Sequence, residues 1–120
     1  MEDISSPPVR GLFKKYTDFT TSVSIYPDAG KGTLQALCYT TLGLTGEAGE
    51  AANRCSKLMR DGDAEWLRAT ITEELGDIIF YWFRMCVELG VNPEEVIEAN
   101  IKKLEDRKKR GVLKGSGDKR

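Results

Sequence analysis

Two pairs of acidic side chains are the residues of this chain whose spacing could support chemistry. Glu47 and Glu50 are three positions apart, and Glu74 and Asp77 repeat that spacing. On a helix, each pair occupies one face, one turn apart. Apolar residues flank both pairs closely, so the carboxylates are expected to be partly buried, where unpaired like charges are costly. Oxygen ligands without histidine or cysteine favour Mg²⁺, with Mn²⁺ as a possible substitute.

The alternative is that these acids form solvated helix faces bridged by Arg54, Lys57 or Arg84. A single pair of acids on a helix usually has that role. Two pairs on consecutive long helices, each beside glycine and apolar residues, favour a metal site instead. If the two helices form an antiparallel hairpin, the pairs face each other and offer four carboxylates around one pocket.

The elements that would position these acids are four helices. A short helix is predicted over residues 12–22. Thr33 is a plausible N-cap for a long helix that ends near Arg60, before an Asp-Gly turn. Asp63 is expected to cap a second long helix, which continues to Leu89 with an apolar period of three to four residues.

The last helix has clear signals at its start. Gly90 ends the preceding helix, and Asn92 followed by Pro93 gives an N-cap with proline in the first turn. An apolar stripe then continues to about Lys109. No convincing strand is found, so the predicted fold class is all-α: a helical bundle with two long antiparallel helices plus shorter helices.

Two features of the long helices predict close neighbours. Gly43, Gly46 and Gly49 each weaken the first long helix by up to ~1 kcal/mol relative to alanine, which suggests close approach of a neighbour or ligand, or a kink. In the second, residues 78–83 are apolar or aromatic nearly all the way round. A chain of this size covers such a helix poorly, so we expect the bundle to be completed by oligomerisation.

Length and composition place the chain among soluble single-domain proteins. It has 120 residues, of which 40% are hydrophobic and 31% charged. The absence of histidine excludes histidine-dependent triads and zinc sites, and the three separated cysteines indicate neither a disulfide framework nor a zinc knuckle. No apolar stretch approaches a membrane span and no signal peptide is recognisable, so a cytoplasmic protein without a membrane partner is expected.

The C-terminal end is basic. Residues 102–120 contain nine lysines and arginines against three acids, on a body that is net acidic. The run from Lys108 to Arg110 has no interleaved aromatic side chains, which gives little support to single-stranded nucleic-acid binding. We therefore expect a solvated tail or contacts to a small anion rather than a nucleic-acid partner. The predicted organisation is a flexible arm at residues 1–11, a domain at 12–109 and a basic irregular tail at 110–120.

The order of the two acidic motifs resembles that of the MazG-like nucleotide pyrophosphohydrolases of the all-α NTP pyrophosphatase superfamily. The resemblance covers about residues 16–120, and the chain is similar to the short single-domain members of the family. The matching stretches are residues 43–50, Lys57, residues 73–82, residues 100–104 and Arg107. The chain differs from many relatives at Gly46, where they have another acid.

The resemblance implies hydrolysis of nucleoside triphosphates between the α- and β-phosphates, with Mg²⁺, to give monophosphate and pyrophosphate. The metal ligands it implies are Glu47, Glu50, Glu74 and Asp77, of which Glu47 or Glu50 could accept the proton of the attacking water. The contacts it implies to phosphate or sugar are Lys57, Asn100, Lys103 and Arg107. It also implies a homo-oligomer, either dimer or tetramer.

The predicted function is therefore a Mg²⁺-dependent nucleoside triphosphate pyrophosphohydrolase that removes unwanted or modified (d)NTPs from the nucleotide pool. The alternative is a non-catalytic helical interaction or regulatory module that retains the fold. The intact set of four acids argues against that alternative. The preferred base and sugar cannot be read from these residues.

Overall fold

The computed structural model describes residues 11–115 and residue 117, and within them every regular element is a helix. The helices are α1 (Leu12–Val23), α2 (Leu34–Asp61), α3 (Glu65–Leu89) and α4 (Pro93–Arg110). The predicted all-α class is confirmed. Of the predicted arm at residues 1–11, residues 1–10 lie outside the described residues. Of the predicted tail at residues 110–120, residues 116 and 118–120 lie outside them. No helix in the described ranges is long and apolar enough to cross a membrane.

Most helix ends follow the local signals in the sequence. The Thr33 side chain accepts a hydrogen bond from the backbone N–H of Ala36 at the start of α2. Asn92 accepts one from the backbone N–H of Glu94 at the start of α4. Gly90 ends α3 in the left-handed conformation, with φ of 68°, which glycine adopts without steric cost.

The predicted cap of α3 is wrong. The N-cap position is Ala64, which makes no side-chain capping hydrogen bond. Asp63 instead accepts hydrogen bonds from Nε and Nη2 of Arg68 at 2.7 and 2.8 Å. The planar guanidinium of Arg68 matches both carboxylate oxygens, so the charged pair replaces the cap.

The chain divides into two compact units, one ending at Gly90 and the other beginning at Val91. In the first unit, α2 and α3 form the main packing pair, as an antiparallel hairpin joined by residues 62–64, and α1 packs on α3. The second unit contains α4, whose last turn carries four basic residues. Its apolar side chains at Val96, Ile97, Ile101 and Leu104 are between 36% and 49% exposed.

The glycines of α2 differ in what surrounds them. A Cβ at Gly43 would lie 2.6 Å or less from three carbons of the Tyr81 ring, whereas Gly46 and Gly49 have open space at that position. The expected close approach is therefore confirmed at Gly43, where α2 and α3 meet without an intervening side chain on α2.

A buried polar network connects the loop before α2 to the end of α3. Arg84 is 0% exposed, and its guanidinium donates to the hydroxyls of Thr21 and Tyr26. The Tyr26 hydroxyl donates to the Glu88 carboxylate, which also accepts hydrogen bonds from the backbone N–H groups of Gly30 and Gly32. Burial alone would raise the pKa of Glu88, but these donors and the charge of Arg84 outweigh it and lower that pKa. Glu88 is thus a satisfied buried anion.

Candidate metal centre

The hairpin of α2 and α3 brings three of the four predicted acids together. Glu47, Glu74 and Asp77 each offer one carboxylate oxygen, and these oxygens lie within 4.8 Å of one another. Glu47 is half-buried, Glu74 is buried and Asp77 is exposed. We call these three residues the acidic cluster. Glu50 is exposed, and the cluster does not include an oxygen from it.

Glu74 is the buried member of the acidic cluster, and its two oxygens differ. The residue is 7% exposed. Its Oε1 accepts a hydrogen bond from Nε of Arg54 at 3.2 Å, and Nη2 of the same ion pair lies 3.0 Å from it. Its Oε2 is buried and has no hydrogen-bond partner among the described residues. An acceptor withdrawn from water without a donor is costly, so a proton or a cation at this oxygen would stabilise the site.

The electrostatics of the cluster follow from the closeness of the carboxylates. The pKa of Glu47 is raised from its ordinary value of 4.5 to about 7, first by the hydrogen bond that a protonated Glu47 would donate to Glu74 and then by burial and by the charges of Asp77, Glu74 and Glu50. Two carboxylates can share a hydrogen bond only when one is protonated, so a proton stabilises the pair in the absence of a cation.

The residues present fit a divalent cation with oxygen ligands. The cluster supplies carboxylate oxygens, which are the ligands of Mg²⁺ and Mn²⁺ in proteins. No cysteine belongs to it, and the chain contains no histidine. A bound cation would also supply the positive partner that the buried Glu74 Oε2 lacks.

Within residues 11–115, the alternative in which basic side chains bridge the acids holds for one oxygen of the cluster, Glu74 Oε1. Arg54 occupies Glu74 Oε1, but Arg84 is committed to the buried network around Tyr26. Lys57 is half-buried on α2, one turn beyond the level of Arg54. The acidic cluster therefore keeps most of its negative charge.

Two tyrosines are affected by the charge of the acidic cluster. Burial, followed by the charges of Tyr39, Glu47 and Asp77, raises the pKa of Tyr81. Burial and the charge of Asp77 likewise raise the pKa of Tyr16. The signal for Tyr81 in the sequence is its place one turn after Asp77, but only the helix pairing shows that its ring lies on Gly43.

The predicted substrate contacts beyond α3 lie on α4, in the second unit. Asn100 and Lys103 are exposed, and Arg107 is buried. Spacings of three and four residues put the three side chains on one face of α4. Their role toward a nucleotide stays a prediction.

Comparisons with known proteins identify the class of protein to which this helical hairpin with its carboxylates belongs. The family described as the MazG nucleotide pyrophosphohydrolase domain matches residues 35–112, so the chain belongs to this family. The "Gene 37 protein" of Mycobacterium phage L5 is 40% identical over 109 residues, which cover 88% of this chain and 96% of the phage protein. No solved structure matches the chain.

The raised pKa of Glu47 predicts an unusual pH dependence for the protein without divalent cations. Glu47 is protonated in both the folded and the unfolded state below pH 4.5, so the stabilisation is fully present there. As the pH rises from 4.5 to about 7, the unfolded state loses its proton first and the free energy of unfolding falls. Since the chain has no histidine, no side chain of ordinary pKa near 6.5 masks this window.

Urea unfolding at several pH values in EDTA, with wild type and Glu47→Gln, measures the effect. We expect the fall between pH 4.5 and 7 to be lost in Glu47→Gln and kept in Glu73→Gln, a matched change at an exposed neighbouring acid. Equal pH profiles for wild type and Glu47→Gln would contradict the prediction.

Proposed function

We propose that this protein is a Mg²⁺-dependent nucleoside triphosphate pyrophosphohydrolase that cleaves (d)NTPs to monophosphate and pyrophosphate, in nucleotide-pool house-cleaning. The observation that carries the proposal is the buried Glu74 Oε2, which has no hydrogen-bond partner in the described part of the chain and belongs to a residue of the acidic cluster. Membership of the MazG family supports the reaction class.

The residues that would hold the metal are Glu47, Glu74 and Asp77. When bound, Mg²⁺ supplies charge neutralisation for phosphate oxygens and lowers the pKa of a coordinated water. Arg54 holds Glu74 Oε1, which keeps this carboxylate in one orientation and leaves Oε2 available. Manganese, with similar ligand preferences, is expected to substitute.

Glu50 has a separate part in the proposal. The acidic cluster does not include it, yet its charge contributes to the raised pKa of Glu47, so it is close to the cluster. A carboxylate that is exposed and not committed to the metal is suited to accept the proton of the attacking water. We therefore assign proton acceptance to Glu50 rather than to Glu47.

The proposal also assigns a role to basic residues. Cleavage between the α- and β-phosphates leaves negative charge on pyrophosphate, which cationic side chains would stabilise. The residues proposed to contact phosphate or sugar are Lys57, Asn100, Lys103 and Arg107.

Pyrophosphate release from a panel of NTPs and dNTPs, with Mg²⁺ and with EDTA, tests the function. We expect release only with Mg²⁺, and a loss of at least ~100-fold in Asp77→Asn because one metal ligand is removed. Glu73→Gln, at an exposed acid outside the cluster, is the matched control and should keep wild-type activity. Mg²⁺ binding without turnover of any nucleotide would favour the non-catalytic module instead.

The role of Glu50 is separable from metal binding. Glu50→Gln should lower kcat ~100-fold or more, as loss of a general base does, while Mn²⁺ affinity stays close to that of wild type. Asp77→Asn should lower both. Titration of Mn²⁺ by electron paramagnetic resonance, beside kcat, checks this difference, and a large loss of Mn²⁺ affinity in Glu50→Gln would reassign Glu50 as a ligand.

We further propose that the working unit is a homo-oligomer. Among the described residues, several large apolar side chains are widely exposed, including Leu42 at 72%, Trp66 at 68% and Leu75 at 59%. In the apolar band of α3, Phe83 is buried beside the rings of Phe13 and Tyr16, whereas Ile79 remains exposed. Soluble monomers seldom expose large contiguous apolar surface, and a two-fold partner is the usual cover.

Light scattering after size exclusion tests the assembly. We expect a dimer or tetramer, and a melting temperature that rises with protein concentration because assembly stabilises the fold. An active species near the chain mass of 13.4 kDa at high dilution would overturn this proposal while leaving the proposed reaction intact.

A further inference from the structure

The geometry points to Tyr81 as a positioning residue for the metal centre: its ring, seated on Gly43, sets the separation of α2 and α3 at the acidic cluster. The inference rests on the proposed function, since it concerns the same site. Tyr81 itself is not assigned as a ligand or a proton donor.

The contact lies one helical turn from the cluster on both helices. Gly43 precedes Glu47 by four residues on α2, and Tyr81 follows Asp77 by four residues on α3. Because α2 and α3 are antiparallel, going from Glu47 back to Gly43 and from Asp77 on to Tyr81 leads along the hairpin in the same direction. The contact of Gly43 with Tyr81 therefore lies one turn from the place where Glu47 and Asp77 approach each other. Four residues are about 6 Å of helix, too short a span to absorb a change in helix separation.

The ring fills all the space that glycine leaves. A Cβ at position 43 would be 2.6 Å or less from three ring carbons, and real Cβ atoms essentially never lie so close. Tyr81 is half-buried between the helices, so a methyl group at position 43 would have to displace the ring, the two helices or both. The packing therefore fixes a helix separation that only glycine permits.

This separation matters because the ligand geometry of Mg²⁺ is narrow. Mg–O distances are about 2.0–2.1 Å, so two oxygens on one ion lie at most about 4.2 Å apart. The three cluster oxygens lie within 4.8 Å of one another, a bound slightly above that limit, so the carboxylates must draw closer together to bind one ion. A wider separation of α2 and α3 would oppose that approach, because Glu47 lies on α2 and its two partners lie on α3.

The experiment compares Mn²⁺ affinity, measured by electron paramagnetic resonance without nucleotide, with thermal unfolding in EDTA. We expect Gly43→Ala to weaken Mn²⁺ binding about 10-fold, the loss typical when the support of a ligand is disturbed. Gly49→Ala is the matched control: it lies on the same helix, its Cβ position is open, and it should raise the melting temperature and keep the affinity.

Two substitutions at Tyr81 distinguish the role of the ring from that of the hydroxyl. They also keep the inference testable if Gly43→Ala does not fold. Tyr81→Phe keeps the ring and should keep Mn²⁺ affinity, whereas Tyr81→Leu should weaken it. The double variant Gly43→Ala with Tyr81→Leu gives the methyl group room and should bind Mn²⁺ more tightly than Gly43→Ala alone. A merely structural role would lower the melting temperature without this recovery of metal affinity.

Three results would overturn the inference. Wild-type affinity in Gly43→Ala, equal affinities in Tyr81→Leu and Tyr81→Phe, or no gain in the double variant would each show that the ring does not set the cluster. All three leave the proposed function standing. Failure of the wild-type protein to bind Mn²⁺ would instead remove the proposed function, and this inference with it.

Discussion

The concentration of negative charge between α2 and α3 is the constraint on which the site depends. Glu74 is withdrawn from water, and its Oε2 has no hydrogen-bond partner within the described residues. Glu47 and Asp77 bring two further carboxylate oxygens within 4.8 Å. Burying such a group is unfavourable unless a proton or a cation joins it. The charge of the hairpin therefore favours binding of a positively charged ligand. The raised pKa of Glu47 is one result, because it means that Glu47 binds a proton more tightly than an ordinary glutamate.

Local signals in the sequence were enough to predict the helices. Thr33 and Asn92 cap their helices as expected, and Gly90 ends α3 because its φ of 68° suits glycine. The acids were also predictable, since a spacing of three residues defines a helix face wherever the helix lies. The wrong prediction at Asp63 also concerns residues close in the chain. Its carboxylate could either cap α3 or pair with Arg68, and in the structure it pairs with Arg68.

Contacts between elements were harder to predict because they depend on the register of α2 against α3. A slip of one turn, about 5.4 Å, would put another residue opposite Gly43 and another acid opposite Glu47. The same holds for Glu88, whose donors at Tyr26, Gly30 and Gly32 are more than fifty residues away in the chain. The periodicity of apolar residues within a helix does not indicate which distant residues such a side chain contacts. The sequence therefore predicts which carboxylates share a helix face, but not that Glu50 is exposed and outside the cluster of three.

The arginines of α2 and α3 explain why the negative charge at the cluster persists. Arg60 pairs with Asp61 and Arg68 with Asp63, both at the hairpin end. Arg84 is buried among the hydroxyls of Thr21 and Tyr26, where Glu88 balances its charge. Arg54 alone of these four reaches the acidic cluster, and it binds a single oxygen of Glu74. Arg84 is buried and cannot leave its partners without leaving Glu88 uncompensated, whereas Arg60 and Arg68 are paired with exposed acids at the hairpin end. Of these four arginines, the fold thus brings one to the carboxylates, and a proton or a cation from solution would neutralise the charge that remains.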